Sequence, residues 1–70
     1  MPKINEFYRD KLTKEVYFVR KVSGNTIIID HCVRNQAWKY PKSLFAKSFV
    51  QLTGKEKERA EILTDIVYQL

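Results

Sequence analysis

Through the first two thirds of the chain, apolar residues come in short runs with strand character; near the end the spacing turns helical. Phe7 to Lys11 reads as a first strand, turned at Leu12-Thr13-Lys14. EVYFVRKV, Glu15 to Val22, is dense in β-branched and aromatic side chains and too short and crowded to favour helix. TIIIDHCV, from Thr26, has the same character. Gly24-Asn25 between two such runs predicts a hairpin, because both residues tolerate positive φ. A two-residue loop then sets the register. Val22 faces Ile27, Arg20 faces Ile29, Phe18 faces His31 and Val16 faces Val33 on one side of the sheet. On the other side Lys21 meets Ile28, Val19 meets Asp30 and Tyr17 meets Cys32. That second side is too apolar for open water, so a curled barrel or a covering helix is expected.

Ala37 to Tyr40 reads as a strand ended by Pro41, with Trp38 and Tyr40 on one face and Lys39 on the other. Lys42 to Lys47 predicts a single helical turn, and Phe49 to Leu52 a short closing strand. Thr53-Gly54-Lys55-Glu56 fits a capping box. Beyond it, Ile62, Leu63, Ile66, Val67 and Leu70 recur at helical spacing as one apolar stripe. The expected cover for that stripe is the second sheet face, at Tyr17, Val19 and Ile28, which makes the protein a monomer; a homodimer through the helix is the alternative. The expectation is mainly β: one domain over residues 1–70, a small five-stranded barrel over 7–52 and a helix over 54–70.

Composition narrows the function. A chain of 70 residues needs most of its nine aromatic rings for its core, so Trp38, Phe45 and Phe49 are assigned to packing. Tyr8, Tyr17 and Tyr40 suit a half-buried boundary, where a ring is covered and its hydroxyl stays wet. The net charge of +5 is unevenly spread. Residues 1–49 carry ten Lys and Arg against four acids, whereas residues 50–70 carry three against four. A basic body of this kind suits a polyanionic partner. A single Cys32 excludes an internal disulfide framework and suits a reducing compartment. No apolar run is long enough to span a bilayer, and the opening MPKINEFYRD is not a signal segment, so the expected location is cytoplasmic.

The order of elements, five short strands with a helical turn before the last, resembles an SH3-like barrel. PKSLFAKSFVQL is similar to the end of SH3 domains, where a Pro-led turn precedes a strand; Lys47-Ser48-Phe49-Val50 holds that strand's place. The chain has no acidic first loop, no ALYDY-like segment and no Trp-Trp pair, so polyproline binding is not implied. Over residues 7–52 it also resembles short SH3-like proteins of unknown function from bacteriophages and prophages. That likeness rests on Trp38, Tyr40, Phe45 and Phe49 and transfers no functional residue.

Asp30-His31-Cys32 is the one constellation with catalytic side chains. Neighbouring strand residues point to opposite faces, so His31 and Cys32 cannot share a metal or act as base and nucleophile. Only two glycines are present, Gly24 and Gly54, and no phosphate-binding loop is formed. Neither a cofactor nor an enzyme activity is called for. What remains is charge beside rings. Arg9, Lys11, Lys14, Arg20, Lys21, Lys39, Lys42 and Lys47 are candidates for phosphate contacts, with Tyr17 or Tyr40 stacking on a base. The expected function is a non-catalytic, nucleic-acid-associated regulator. The alternative is a phage-type regulator or inhibitor that docks on an acidic patch of a host enzyme.

Overall fold

The computed structural model describes residues 2–69. Five strands form one antiparallel sheet: β1 (Phe7–Asp10), β2 (Val16–Ser23), β3 (Thr26–His31), β4 (Ala37–Pro41) and β5 (Phe49–Gln51), in the order β4-β3-β2-β1-β5. A seven-residue helix, α1 (Lys42–Ser48), joins β4 to β5, and α2 (Gly54–Gln69) follows the last strand. The protein is therefore mainly β with a C-terminal helix. The sheet is open, because β4 and β5 form its two edges and do not hydrogen-bond to each other.

The hairpin forms where the sequence places it. Ser23 pairs with Thr26 across Gly24-Asn25, and Gly24 sits at φ +56. Positive φ at the first central position alone matches the II′ turn, which takes Gly there. Asp10 shapes the β1–β2 connection: its Oδ1 accepts the amides of Leu12 (2.8 Å) and Thr13 (3.2 Å). Pro41 ends β4 on an edge, where its missing N–H costs no ladder bond.

Past Lys21 the expected register fails. Val22–Ile27 and Lys21–Ile28 pair as predicted, but Ile29 lies opposite Val19, not Arg20. A β-bulge leaves Arg20 unpaired and shifts every later pair by one residue. Phe18 consequently pairs with Asp30 and Tyr17 with His31, instead of Phe18 with His31 and Tyr17 with Cys32. The bulge takes a charged side chain out of the core row and turns Val19 and Tyr17 inward in its place.

The two faces of the sheet carry two separate apolar clusters. On the concave face Tyr8, Tyr17, Val19, Ile27, Ile29, Phe45 and Phe49 pack together, with Val22 and Tyr40 against them. Phe45 from α1 stacks on Phe49 at 4.5 Å between ring centres, and Tyr40 lies 5.2 Å from Phe49. Rings from both edge strands thus meet beneath α1, which curls the sheet without closing its hydrogen bonds. On the convex face Phe7, Cys32, Leu52 and Ala60 form a smaller cluster, flanked by Val16 and Phe18.

The last helix docks by a different stripe from the one predicted. Glu56 meets Arg9, Ala60 enters the convex cluster, and the Tyr68 hydroxyl donates to the His31 carbonyl at 3.1 Å. The Tyr68 ring also packs edge-on against Phe18. These positions recur every four residues, so they line one side of the helix. Ile62, Leu63 and Ile66 stay 59%, 50% and 54% exposed; Val67 is half-buried, and Leu70 lies outside the described residues. Tyr17 and Val19 are on the concave face, out of the helix's reach. Among the described residues no Thr53–Glu56 hydrogen bond of the predicted capping box is formed, and Glu56 Oε2 is engaged by Arg9 instead.

Candidate nucleic-acid interface

Register across three strands brings two of the predicted basic residues onto one face. Lys21 of β2 is opposite Ile28 of β3, and Ile28 is opposite Lys39 of β4. Residues paired in this way share a face, so the three form a row on the convex side, beyond the part that α2 covers. Strands lie about 4.8 Å apart, which separates the two lysine Cα atoms by roughly 10 Å. Both lysines are exposed, and among the described residues neither pairs with a carboxylate. Ile28 between them is half-buried.

Two more cations border this row. The bulge lifts Arg20 out of the ladder toward Asp30, 3.7 Å away, and leaves its side chain largely in solvent. Lys42 starts α1 beside the hairpin, its amide donating to the Asn25 carbonyl at 2.8 Å. Arg20, Lys21, Lys39 and Lys42 are thereby gathered at one end of the molecule.

The other predicted cations lie elsewhere. Lys11 and Lys47 sit at the opposite end, where the Lys11 amide donates to the Ser48 carbonyl at 2.9 Å. Lys14 closes the same connection with φ 67. Arg9 lies on the convex face under α2 and is held by Glu56. The eight residues proposed from sequence therefore do not form one surface.

Of the two stacking candidates, Tyr17 is unavailable. Its ring is buried among His31, Trp38 and Phe49, and its hydroxyl donates to Glu15 Oε2 at 3.2 Å. Burial, reinforced by the Glu15 carboxylate, pushes its phenol up to about 12. The bulge explains the error, because it rotates Tyr17 from the outer face to the inner one. Tyr40 is half-buried against Phe45 and Phe49. Tyr8, expected at a boundary, is in the core, with its phenol also pushed up to about 12 by burial and the bond to Glu6.

Trp38, assigned to the core, is 37% exposed. It stands on an edge strand and touches Tyr17 at 5.4 Å, while α1 covers only the Tyr40 end of that strand. The exposed ring is a functional candidate that sequence reasoning passed over. Its place on an edge strand was the available signal.

His31 and Cys32 point to opposite faces, as strand alternation requires. His31 Nδ1 accepts the amides of Val33 (3.1 Å) and Arg34 (3.2 Å), so the ring ties down the loop after β3. Burial pushes the Cys32 thiol up, away from the reactive thiolate. Among the described residues no three His, Cys, Asp or Glu side chains gather as a metal-binding set, and no helix is long and apolar enough to cross a membrane. No protein-family model, curated protein or solved structure matches the chain.

Proposed function

We propose that this chain is a small non-catalytic regulator of nucleic acid that grips phosphates with the hairpin end of its convex face. The observation that carries the reading is the Lys21–Ile28–Lys39 row, two free cations flanking an apolar side chain on a rigid three-strand surface. Arg20 and Lys42 extend the row toward neighbouring phosphates, and Ile28 offers an apolar contact to sugar or base edge. Phosphate contacts of this kind position a strand with modest sequence preference. For the fold we infer an SH3-like barrel. The strand order, the helical turn between β4 and β5 and the ring stack across the open seam all support it.

Binding of a labelled oligonucleotide, measured as a function of salt, tests the reading. The logarithm of affinity should fall linearly with the logarithm of salt, and Lys21→Ala or Lys39→Ala should each lower that slope by about 1. Lys11→Ala, at the far end, should leave it unchanged. Equal losses from all three substitutions would remove the hairpin face as the site. The uncovered Ile62, Leu63 and Ile66 favour a second reading, a phage-type regulator or inhibitor that docks on a host enzyme, with the free Lys21 and Lys39 meeting an acidic patch there. A discrete partner recovered from nuclease-treated extract, with no oligonucleotide binding at low salt, would select it.

A further inference from the structure

Between Asp30 and Glu56 the chain carries no acidic side chain. That stretch spans β4, α1 and β5 and holds Arg34, Lys39, Lys42, Lys47 and Lys55. The β4 edge of the sheet therefore belongs to a segment that is purely cationic. Two acids from elsewhere come beside it, Asp30 opposite Ala37 and Glu15 at the Tyr17 hydroxyl. Each is met by an arginine, Asp30 by Arg20 at 3.7 Å and Glu15 by Arg34 at 3.4 Å. A polyanion is drawn to an edge of this kind.

The backbone of the same edge supplies an independent observation. The His31 amide donates to the Gln36 carbonyl at 3.0 Å, and the Lys42 amide to the Asn25 carbonyl at 2.8 Å. With the β3–β4 register, these two bonds set the alternation of the ladder. Trp38 and Tyr40 turn their N–H and C=O groups toward β3, whereas Ala37 and Lys39 turn theirs outward. Because β4 is an edge, the two outward amides meet no partner strand among the described residues. Trp38 and Lys39 are neighbours whose side chains leave opposite faces of the strand. The indole stands on the concave side opposite Ile29, 37% exposed, and Lys39 stands on the convex side in the row with Lys21. An aromatic ring, two free amides and an ammonium group thus follow one another across the thickness of a single strand.

We propose that the nucleic acid gripped by the lysine row is single-stranded and rounds the β4 edge, with a base stacked on Trp38. Its phosphates lie on Lys39 and on the outward amides of Ala37 and Lys39, since backbone N–H groups are ordinary phosphate donors. The inference rests on the phosphate-binding reading of that row and adds the form of the ligand. In a duplex the base faces are stacked on one another, and the grooves offer base edges alone. A ring such as Trp38 needs a base face, which an unpaired strand supplies. Every base has such a face, so the contact adds affinity without reading sequence. Tyr17 packs edge-on against the indole at 5.4 Å and braces it from the core side.

Trp38 is the sole tryptophan, so its fluorescence reports the contact in the unsubstituted chain. Titration at low salt compares oligothymidylate with a duplex of the same length. Oligothymidylate should quench the indole saturably and bind about tenfold more tightly than the duplex. Trp38→Leu, which keeps an apolar side chain against Tyr17, should lose about tenfold in affinity for the single strand, and Trp38→Phe should recover most of it. Duplex affinity should be the same for all three proteins, which also checks that the variants are folded. The fluorescence measurement decides the question whatever Trp38→Leu does to stability. An unquenched indole, or a duplex bound as tightly as the single strand, would overturn the inference. If Lys21→Ala and Lys39→Ala still lowered the salt slope in that case, the lysine row would stand without it. Binding of neither form would remove both.

Discussion

The concave and convex faces of this sheet are covered by helices that behave in opposite ways. α1 has seven residues, yet its Phe45 is almost wholly enclosed by Tyr8, Tyr40 and Phe49. α2 has sixteen residues and buries Ala60, while its large aliphatic side chains face water. Tethering explains much of the difference. Strands enter and leave α1 at both ends, so sheet geometry fixes its position and presses Phe45 inward. α2 leaves the sheet after Leu52 and is held by side chains alone, where small residues allow close approach. Length and hydrophobicity are poor guides to which helix carries the core.

Removing the ring at the centre of the concave face should have the largest effect. Phe45→Ala should cost about 3–5 kcal/mol in denaturant unfolding, enough to threaten the fold of so small a domain. A loss below about 1 kcal/mol would abolish the contrast between the two faces.

Alkaline titration should strike the same face. Tyr8 and Tyr17 have phenols raised to about 12 in the fold, against an ordinary value of 10. The folded state therefore holds protons that the unfolded chain releases. Their contribution is complete below pH 10 and fades as pH rises toward 12. Tyrosinate absorbance for these two rings should appear together with unfolding. Appearance near pH 10, in a chain still folded, would show the concave face to be open.

On the convex side Ala60→Arg should cost about 1–3 kcal/mol by overpacking the contact with Phe7, Cys32 and Leu52. The aromatic circular dichroism of the concave cluster should survive, because α2 is not part of it. Loss of that signal would couple the faces more tightly than their separate clusters indicate.

The smallest effect is expected at Ile66. Replacing this exposed residue with Lys should change stability by less than about 0.5 kcal/mol at any protein concentration. A larger, concentration-dependent loss would place the stripe between two copies of the chain.

Local chemistry was legible in the sequence. Gly24-Asn25 fixed the hairpin, and the run after Pro41 the short helix. The bulge was not legible, because VYFVRKV is apolar at both parities and fits the sheet in two phases. That ambiguity misplaced Tyr17, Phe18 and Arg20 together. The docking side of α2 was hidden for another reason. Ala60 and Tyr68 contribute through close approach and a hydrogen bond, while a stripe chosen by hydrophobicity selects Ile62, Leu63 and Ile66. Trp38 was misjudged because the need for core rings does not say which ring an edge strand leaves uncovered.

An open sheet also bears on how the molecule behaves among its own kind. Unpaired edges are templates on which another chain can add a strand and start an aggregate. Here β5 offers three residues before the chain turns toward α2, too little for a lasting ladder. β4 offers five, ended by a proline that has no amide to give, and α1 follows at once. Edges this short and interrupted let the protein leave its seam unclosed while giving neighbouring molecules little to grow on.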